Sequence, residues 1–184
     1  MSDDHSLLLR QIAKGDKQAL AALYRAYEKP CYKFIVSRLN DPHEAADILH
    51  EVFMDIWRVA ASFEGRSQVR TWIFGIAYRK VIDAHRKRGR MTVTDEVPEP
   101  EEMEDAADAG YAAKQEAEHL RYCMGTLSDD HRSAVSLAFY EDMTCAEIAE
   151  VAGVPEGTIK SRLHHAKKLL LHCLSGRIKG RAFA

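Results

Sequence analysis

The amino-acid sequence predicts an all-α protein of two small helical domains joined by a flexible acidic linker. Apolar residues recur at helical spacing in both halves of the chain, and no convincing strand pattern appears. Residues 92–109 are rich in proline and acidic residues, a composition typical of an unpacked connector. Near the C-terminus the chain has the signals of a helix-turn-helix. We expect domains at 1–91 and 113–184 with a linker at 92–112; the alternative is one continuous helical domain with a surface loop.

Hydrophobic periodicity predicts a series of helices along both halves. In chain order they are expected at 4–13, 16–39 with a break near Pro30, 42–61, 69–88, 113–125, 129–140, 145–152 and 156–174.

The bulk composition fits a globular protein in the cytoplasm. The chain has 184 residues, of which 46% are hydrophobic and 29% charged. No apolar run approaches the thickness of a bilayer, and the N-terminus lacks the basic and apolar regions of a signal peptide, so we expect no membrane span. The four cysteines, at positions 31, 123, 145 and 173, show neither close pairing nor zinc-ligand spacing. We expect them to be free thiols in the core.

A well-specified helix is predicted to begin at Asp41. Asp41 is a preferred N-cap residue, Pro42 fits the first helical position and Glu44 completes a capping box. The apolar residues on one stripe form its expected core face: Ala45, Leu49, Val52, Ile56 and Val59. The acidic residues share an exposed face: Glu44, Asp47, Glu51 and Asp55. Such a face is usually only solvated, and a docking role requires that the rest of the chain need a large partner.

The same helix raises the alternative of metal binding. His43, Asp47, His50 and Met54 stack at spacings that could hold a transition metal. The residues lie on the helix exterior and no histidine-glutamate protease motif is present. We therefore expect no metal site.

The helix at 69–88 combines aromatic and basic residues. One side carries Trp72, Ile73, Ile76, Ala77 and Ala84, and the other carries Phe74, Tyr78 and Ile82 beside Arg79 and Arg86. Rings that stack on bases, with guanidinium groups that hold the backbone, suit single-stranded DNA. The alternative is that Phe74 and Tyr78 pack in the core. Four cations at the end of the helix, Arg86, Lys87, Arg88 and Arg90, are expected to contact phosphates.

The net charge of −2 conceals strong local asymmetry. Residues 41–64 are acidic, 66–90 are basic, 95–108 carry only negative charges, and the last thirty residues are basic again. Two basic regions therefore flank an acidic one, which favours nucleic acid as a partner.

The predicted helix-turn-helix begins with a capping box formed by Thr144 and Glu147. Gly153 suits the tight turn, and Pro155 suits the first turn of a new helix. In that helix Ile159, Leu163, Ala166, Leu170 and Cys173 share a core stripe, and Lys160, Ser161, His164, His165 and Lys168 lie opposite. We expect Lys160, Ser161 and His164 to read bases, and Arg162 to contact phosphate or form an internal ion pair. The alternative is an ordinary amphipathic hairpin with a solvated basic face.

The sequence contains no pattern that supports catalysis. No nucleophile-base pair and no glycine-rich phosphate loop is evident, and the acidic residues lack nuclease-like spacing. We expect a DNA-binding protein that is not an enzyme and needs no cofactor.

Four motifs, in this order, resemble the extracytoplasmic-function (group four) sigma factors of bacterial RNA polymerase, over nearly the whole chain. LLRQIAKGDKQALAALY at 8–24 resembles the family's opening segment. DPHEAAD at 41–47, followed by EVFMDIWR at 51–58, resembles its polymerase-docking helix. FEG at 63–65 with TWIFGIA at 71–77 resembles its promoter-melting segment, and GTIKSRL at 157–163 resembles its recognition helix.

The resemblance implies a role for each surface. The first domain would bind the clamp helices of the largest polymerase subunit, with docking carried by Asp47, Glu51, Asp55 and Trp57. It would also open the minus-ten element and capture an unstacked base. The residues implied there are Phe63, Arg66, Ser67, Arg70, Thr71, Trp72, Tyr78, Arg79, Arg86 and Arg88. The second domain would read the minus-thirty-five element through Thr158, Lys160, Ser161, Arg162, His164, His165 and Lys168.

Further partners follow from the same resemblance. The polymerase flap would contact the second domain, the acidic linker would run towards the RNA exit path, and an anti-sigma factor would cover the polymerase-binding surfaces. The promoters would be those of a stress response.

Three positions depart from the family's pattern. His50 stands where glutamine is usual, and Arg79 stands where asparagine is common, which leaves the preferred minus-ten base open. Ser128 replaces a proline before the helix at 129–140, where serine is a good cap.

The competing hypothesis is a stand-alone helix-turn-helix repressor or activator whose first module dimerises or senses a ligand. A nucleic-acid hydrolase is a more distant alternative. The sequence shows no dimerising heptad and no polar-lined pocket pattern, so nothing in it favours the stand-alone repressor or activator.

Overall fold

The computed structural model describes residues 2–39, 41–91 and 111–179, and these are helical apart from short turns. Within those ranges there are eight α-helices and no strand, which confirms the predicted all-α class. The helices are α1 (Ser2–Ile12), α2 (Lys17–Leu39), α3 (Pro42–Val59), α4 (Val69–Met91), α5 (Tyr111–Gly125), α6 (Asp129–Phe139), α7 (Cys145–Ala152) and α8 (Glu156–Lys179). A short 3₁₀ turn, Ala60–Ser62, follows α3. Most of the predicted linker at 92–112 lies outside the described residues, as does the Arg90 side chain.

The first four helices pack around a shared apolar core. α2 contacts α1, α3 and α4, and the side chains between them include Leu23, Ile35, Val52 and Ile73, all fully buried. The expected break near Pro30 is wrong, because α2 continues through that residue. A proline inside a helix costs about 3 kcal/mol. We attribute the continuity to burial on both sides of Pro30, where apolar side chains enter the core and offset that cost.

The structure confirms Asp41 as the N-cap of α3. The Glu44 carboxylate, which was expected to complete a capping box, contacts Arg88 instead. The Asp41 carboxylate accepts hydrogen bonds from the N–H groups of His43 and Glu44, both at 3.0 Å. The end of the helix differs from the prediction. Val59 remains 40% exposed, and Ala60 enters the core in its place. The α-helix ends there and the 3₁₀ turn tightens the chain, which rotates the next side chain inward.

The second half consists of α5 to α8 and contains the predicted helix-turn-helix. Thr144 and Glu147 form the capping box at the start of α7, and Gly153 ends that helix with a φ of 67°. A positive φ is the conformation that favours glycine. Ile159 and Ala166 of α8 are fully buried, as the apolar stripe predicts.

The cysteines correct one expectation. Cys123 of α5 and Cys173 of α8 form a disulfide across 50 residues of sequence, so the prediction of free thiols is wrong for these two. Cys31 and Cys145 are free. The pairing arises because α5 packs along α8, a tertiary contact that cysteine spacing in the sequence does not reveal.

The two halves of the chain touch each other. α4 packs against α7, and α2 packs against α6. Buried side chains from both halves form one continuous apolar cluster. The contact therefore involves the helix that the sequence assigns to promoter melting and the first helix of the helix-turn-helix.

Candidate functional site

The predicted docking residues lie together on α3. Asp47 and Glu51 are exposed, Asp55 is half-exposed, and their spacing of four residues places them on one face. Trp57 is half-buried and packs against the core. Lys80 of α4 joins this face, with its Nζ 3.1 Å from Glu51 Oε2 and 2.9 Å from Asp55 Oδ2. The hydrogen bonds with Asp55 and Glu51 raise the pKa of Lys80.

The loop before α4 and the first turns of α4 border a cavity of about 620 Å³. Phe63 packs edge-on against Trp72, with ring centroids 5.4 Å apart, at the base of this loop. Gly65 gives the loop a φ of 72°, again a conformation that favours glycine. The cavity is lined by Ser6 of α1, by residues of the loop and of α4, and by residues at the start of and within α7: Gly65, Arg66, Ser67, Gln68, Val69, Thr71, Thr144, Glu147 and Glu150.

Several residues predicted for the minus-ten element are not exposed. Thr71 is 1% exposed and Tyr78 is 9% exposed. Burial raises the pKa of the Tyr78 hydroxyl. Phe74 is fully buried and contacts Phe34 edge-on at 5.6 Å, so for Phe74 the core alternative is the one that the structure supports.

The basic residues of α4 have different environments. Arg79 and Arg86 are exposed, and Arg86 has Asp83 at 3.6 Å. The Arg88 side chain, which is 40% exposed, donates a hydrogen bond of 2.8 Å to the Leu39 carbonyl and contacts the Glu44 carboxylate. Arg88 therefore supports the start of α3. In the sequence, the acidic residues at the start of α3 are the feature that indicates a basic partner such as Arg88.

The residues predicted to face outward on α8 are exposed, with one exception. Lys160, Ser161, His164, His165 and Lys168 are exposed, and Thr158 is half-buried. Lys160 pairs with Glu156 one turn away at 2.8 Å. Arg162 forms an ion pair with Asp130 of α6, which is one of the two roles predicted for it.

Sequence reasoning missed a charged cluster between the two halves. Arg38 of α2 is 2% exposed and donates a hydrogen bond to the main-chain carbonyl of Asp129 in α6. The Asp129 carboxylate lies 2.6 Å from Arg132 and 3.7 Å from Nδ1 of His85. Burial lowers the pKa values of Arg38 and His85. An arginine on the apolar stripe of a helix is the sole trace of this cluster in the sequence.

Among the described residues, no group of three or more histidine, cysteine or acidic side chains could hold a metal ion. Within the same ranges, no helix combines the length and apolar character that crossing a bilayer requires.

Comparisons with known proteins agree with this architecture. Residues 23–91 match the family model of sigma-70 region 2, and residues 117–170 match that of sigma-70 region 4. An extracytoplasmic-function RNA polymerase sigma factor SigK from Mycobacterium sp. (strain JLS) is 28% identical over 182 residues, covering 95% of this chain and 92% of its own. The SigK of Mycobacterium tuberculosis (strain ATCC 25177 / H37Ra) is 26% identical and covers 95% of both chains.

Solved structures show the same fold. CnrH, in complex with the cytosolic domain of CnrY, has a TM-score of 0.71 at 20% identity, covering 94% of this chain and 98% of its own. The sigma factor RpoE of Bartonella quintana, in complex with the anti-sigma factor NepR, has a TM-score of 0.69 at 25% identity. The match covers 86% of this chain and 96% of the RpoE chain. The two sigma-70 regions define a transcription initiation factor, and the chain belongs to the extracytoplasmic-function group of the sigma-70 family.

Proposed function

We propose that this chain directs core RNA polymerase to a set of stress-type promoters, with one surface for the polymerase and two for DNA. The observation that carries the proposal is the arrangement on one molecule of an acidic face on α3 and a basic outward face on α8, within matches to sigma-70 regions 2 and 4. Residues 1–91 supply the polymerase and minus-ten surfaces, 92–112 connect, and 113–184 supply the minus-thirty-five surface.

The α3 face suits a basic protein partner. Asp47 and Glu51 are exposed carboxylates on a helix whose other side is locked into the core by Val52 and Ile56. Charges held on a rigid element favour a fixed docking orientation and a fast, salt-dependent encounter. We assign this face, with Asp55 and Trp57 at its edge, to the clamp helices of the polymerase.

The cavity beside α4 suits a single unstacked base. Arg66 and Ser67 line it with polar groups on a loop that Gly65 shapes. Phe63 and Trp72, which pack edge-on against each other, do not line the cavity but flank its lining residues 65–71 in the sequence, where they would supply aromatic surface. A base that leaves a duplex loses stacking and pairing worth a few kcal/mol, which contacts of this kind offset. Arg79 and Arg86, exposed further along α4, would hold the adjoining phosphates.

The outward face of α8 suits the major groove. Lys160, Ser161 and His164 are exposed near the N-terminal end of the helix, where residues reach base edges, and Lys168 lies further along, where phosphates are contacted. The two histidines and two lysines on this face can donate hydrogen bonds, which favours acceptor-rich base edges.

An anti-sigma factor and the polymerase flap complete the proposed partners. RpoE of Bartonella quintana, which is 25% identical, is complexed with the anti-sigma factor NepR. We extend that kind of partner to this chain, which would act in the cytoplasm with the polymerase and have no catalytic role of its own.

The test is transcription with purified core polymerase on a genomic promoter pool, followed by mapping of the start sites. We expect transcripts that need both the chain and the core enzyme. Lys160→Ala should change the preference among upstream elements. Lys29→Ala, which removes one positive charge at an exposed position of α2, should not. Transcripts that never depend on the chain, or footprints on duplex DNA that need no polymerase, would overturn the proposal.

A further inference from the structure

We propose that His131 of α6 forms, together with His164 and His165 of α8, a patch that binds the DNA backbone beside the minus-thirty-five element when its imidazoles are protonated. This inference rests on the proposed function, because it extends the surface that α8 presents to DNA. It adds a second helix to that surface and makes the affinity for DNA depend on pH.

The three imidazoles lie next to one another on the surface of the second half. The ring of His165 is in the middle, with its centroid 6.4 Å from that of His131 and 5.8 Å from that of His164. His164 and His165 are exposed, and His131 is half-buried. The histidine patch therefore runs from the outward face of α8 to α6.

Ser128 holds the ring of His131 in this row. Its hydroxyl oxygen caps α6 and lies 2.9 Å from Nδ1 of His131. Nε2, at the other edge of the ring, is then the nitrogen that can meet a ligand. Ser128 is also a position at which the sequence departs from the family's pattern, so this arrangement belongs to the chain itself.

The acidic residues of the neighbouring helices already have other contacts. α5, α6 and α7 pack against α8, and α2 packs against α6. Asp130 of α6 forms an ion pair with Arg162. Asp129 meets basic side chains of three helices: Arg38, His85 and Arg132. The acidic residues of α7 serve its capping box or border the cavity beside α4: Glu147 and Glu150.

The charged residues of α5 lie further along α8. Cys123 is bonded to Cys173, and Tyr122 packs on Arg177, so α5 runs antiparallel to α8. The charged side chains that precede Tyr122 therefore lie beyond Cys173, which is two turns past His165: Glu116, Glu118 and Arg121.

The cations closest to the patch along the chain belong to α8. Lys168 follows His164 by four residues and His165 by three, which places it on the same side of the helix. Lys167 is exposed beside it, and Lys160, one turn before His164, pairs with Glu156. Protonation would add one positive charge for each ring to this basic surface, so the ligand that fits it is an anion.

The phosphate backbone is the anion that the position of the patch favours. Side chains of a recognition helix reach base edges, and the elements that flank this helix contact the backbone at the edge of the groove. A protonated imidazole donates from both ring nitrogens and cannot accept, which suits a phosphate oxygen. His131 therefore continues the surface from the bases that His164 faces to the adjoining phosphates.

The same chemistry gives the direction of the pH dependence. Histidine is the side chain that changes its charge between about pH 5 and pH 8. A phosphate favours the protonated imidazole, so binding takes up protons. The affinity for DNA is then higher in acid and decreases as the pH rises through this range.

The test compares polymerase holoenzymes that contain the wild-type or a variant chain. The probe is a duplex that carries the minus-thirty-five element of a mapped start site and ends before the minus-ten element. His131→Gln keeps a polar side chain that cannot take up a proton. His119→Gln, which removes one imidazole from α5, is the matched control. The ratio of variant to wild-type affinity cancels any effect of pH on the polymerase itself.

We expect His131→Gln to bind about threefold more weakly than the wild type at about pH 6 and less than about twofold more weakly at about pH 8. At the lower pH its plot of log affinity against log salt should be shallower by about 1, because one phosphate contact is lost. His119→Gln should match the wild type under all of these conditions.

A fixed charge should rescue the effect. His131→Lys is positive throughout this range, so it should bind about threefold more tightly than the wild type at about pH 8 and equally at about pH 6. A ring that only supports the fold predicts weaker binding by both variants at both pH values.

The wild-type holoenzyme provides a measurement that needs no variant to fold. Its dependence on salt should be steeper by about 1–2 at the lower pH. The same salt dependence at both pH values, or a constant ratio of His131→Gln to wild-type affinity, would rule out the histidine patch. Transcription that depends on the chain and the core enzyme would then still support the proposed function, which only the loss of that transcription contradicts.

Discussion

Lys80 of α4 donates a hydrogen bond of 2.9 Å to the Asp55 carboxylate on α3 and a second, of 3.1 Å, to Glu51. The amine therefore neutralises part of the face that we assign to polymerase docking. A cation from another protein has to compete with an internal one for these two carboxylates.

Replacing Lys80 by methionine should strengthen binding to core polymerase by about two- to fivefold and make it more sensitive to salt. The reason is that both carboxylates become available, while pairs this exposed contribute only about 0–1 kcal/mol to stability. The measurement is competition for core enzyme at two salt concentrations. Lys29→Met is the control, and weaker binding by Lys80→Met would show that Lys80 itself contacts the polymerase.

The two open glycines of the helix-turn-helix should respond to alanine in opposite directions. At both Gly153 and Gly157 an added Cβ meets no atom within 4 Å, so only the backbone decides. Gly153→Ala should cost about 1 kcal/mol because φ is 67° there, whereas Gly157→Ala, inside α8, should gain up to about 1 kcal/mol. Chemical denaturation measures both changes. Equal changes in the free energy of unfolding for the two variants would contradict the left-handed conformation of Gly153.

Reduction should destabilise the second half of the chain. The disulfide between Cys123 and Cys173 closes a loop of 50 residues, for which the chain-entropy relation gives about 4 kcal/mol. Guanidinium denaturation with and without reductant measures the difference. Cys173→Ser should remove the effect of reductant, and Cys145→Ser, at a free thiol, should retain it.

The capping box of α7 should make stability fall at acid pH. Burial alone would raise the pKa of Glu147, but hydrogen bonds from the Thr144 N–H and hydroxyl, each 2.8 Å, outweigh it and the pKa is lowered. A lowered carboxyl pKa stabilises the fold above the ordinary value of 4.5 and loses that effect as the pH falls below it.

Thr144→Ala should therefore cost about 1 kcal/mol at neutral pH and less in acid. Ser175→Ala, at an exposed position of α8, is the control and should change stability little at either pH. Thermal unfolding between pH 7 and pH 3 measures the difference. A constant cost at all pH values would mean that Glu147 does not share in the cap.

The sequence predicts those features that depend on neighbours along the chain. The Asp41 cap, the Thr144–Glu147 box and the Gly153 turn are local, and all three are present. The apolar stripe of α8 also gave the correct buried residues, Ile159 and Ala166.

The features that the sequence does not reveal depend on contacts between distant segments. The Cys123–Cys173 disulfide needs α5 to pack on α8, and the burial of Arg38 needs α6 to cover α2. Helical periodicity places Tyr78 on a face but cannot say whether that face meets DNA or another helix. The assignments of individual residues to polymerase and promoter therefore stay predictions for the experiments above.

The contacts of Arg88 have a mechanical consequence. They tie the last turns of α4 to the Leu39 carbonyl and to the acidic start of α3, at the end of the helix next to residue 92. α4 has 23 residues and is about 34 Å long, so the cavity lies at its far end. A force that acts on the C-terminal end of α4 is therefore transmitted to the junction between α2 and α3. The cavity at the other end of α4 should be little affected by it.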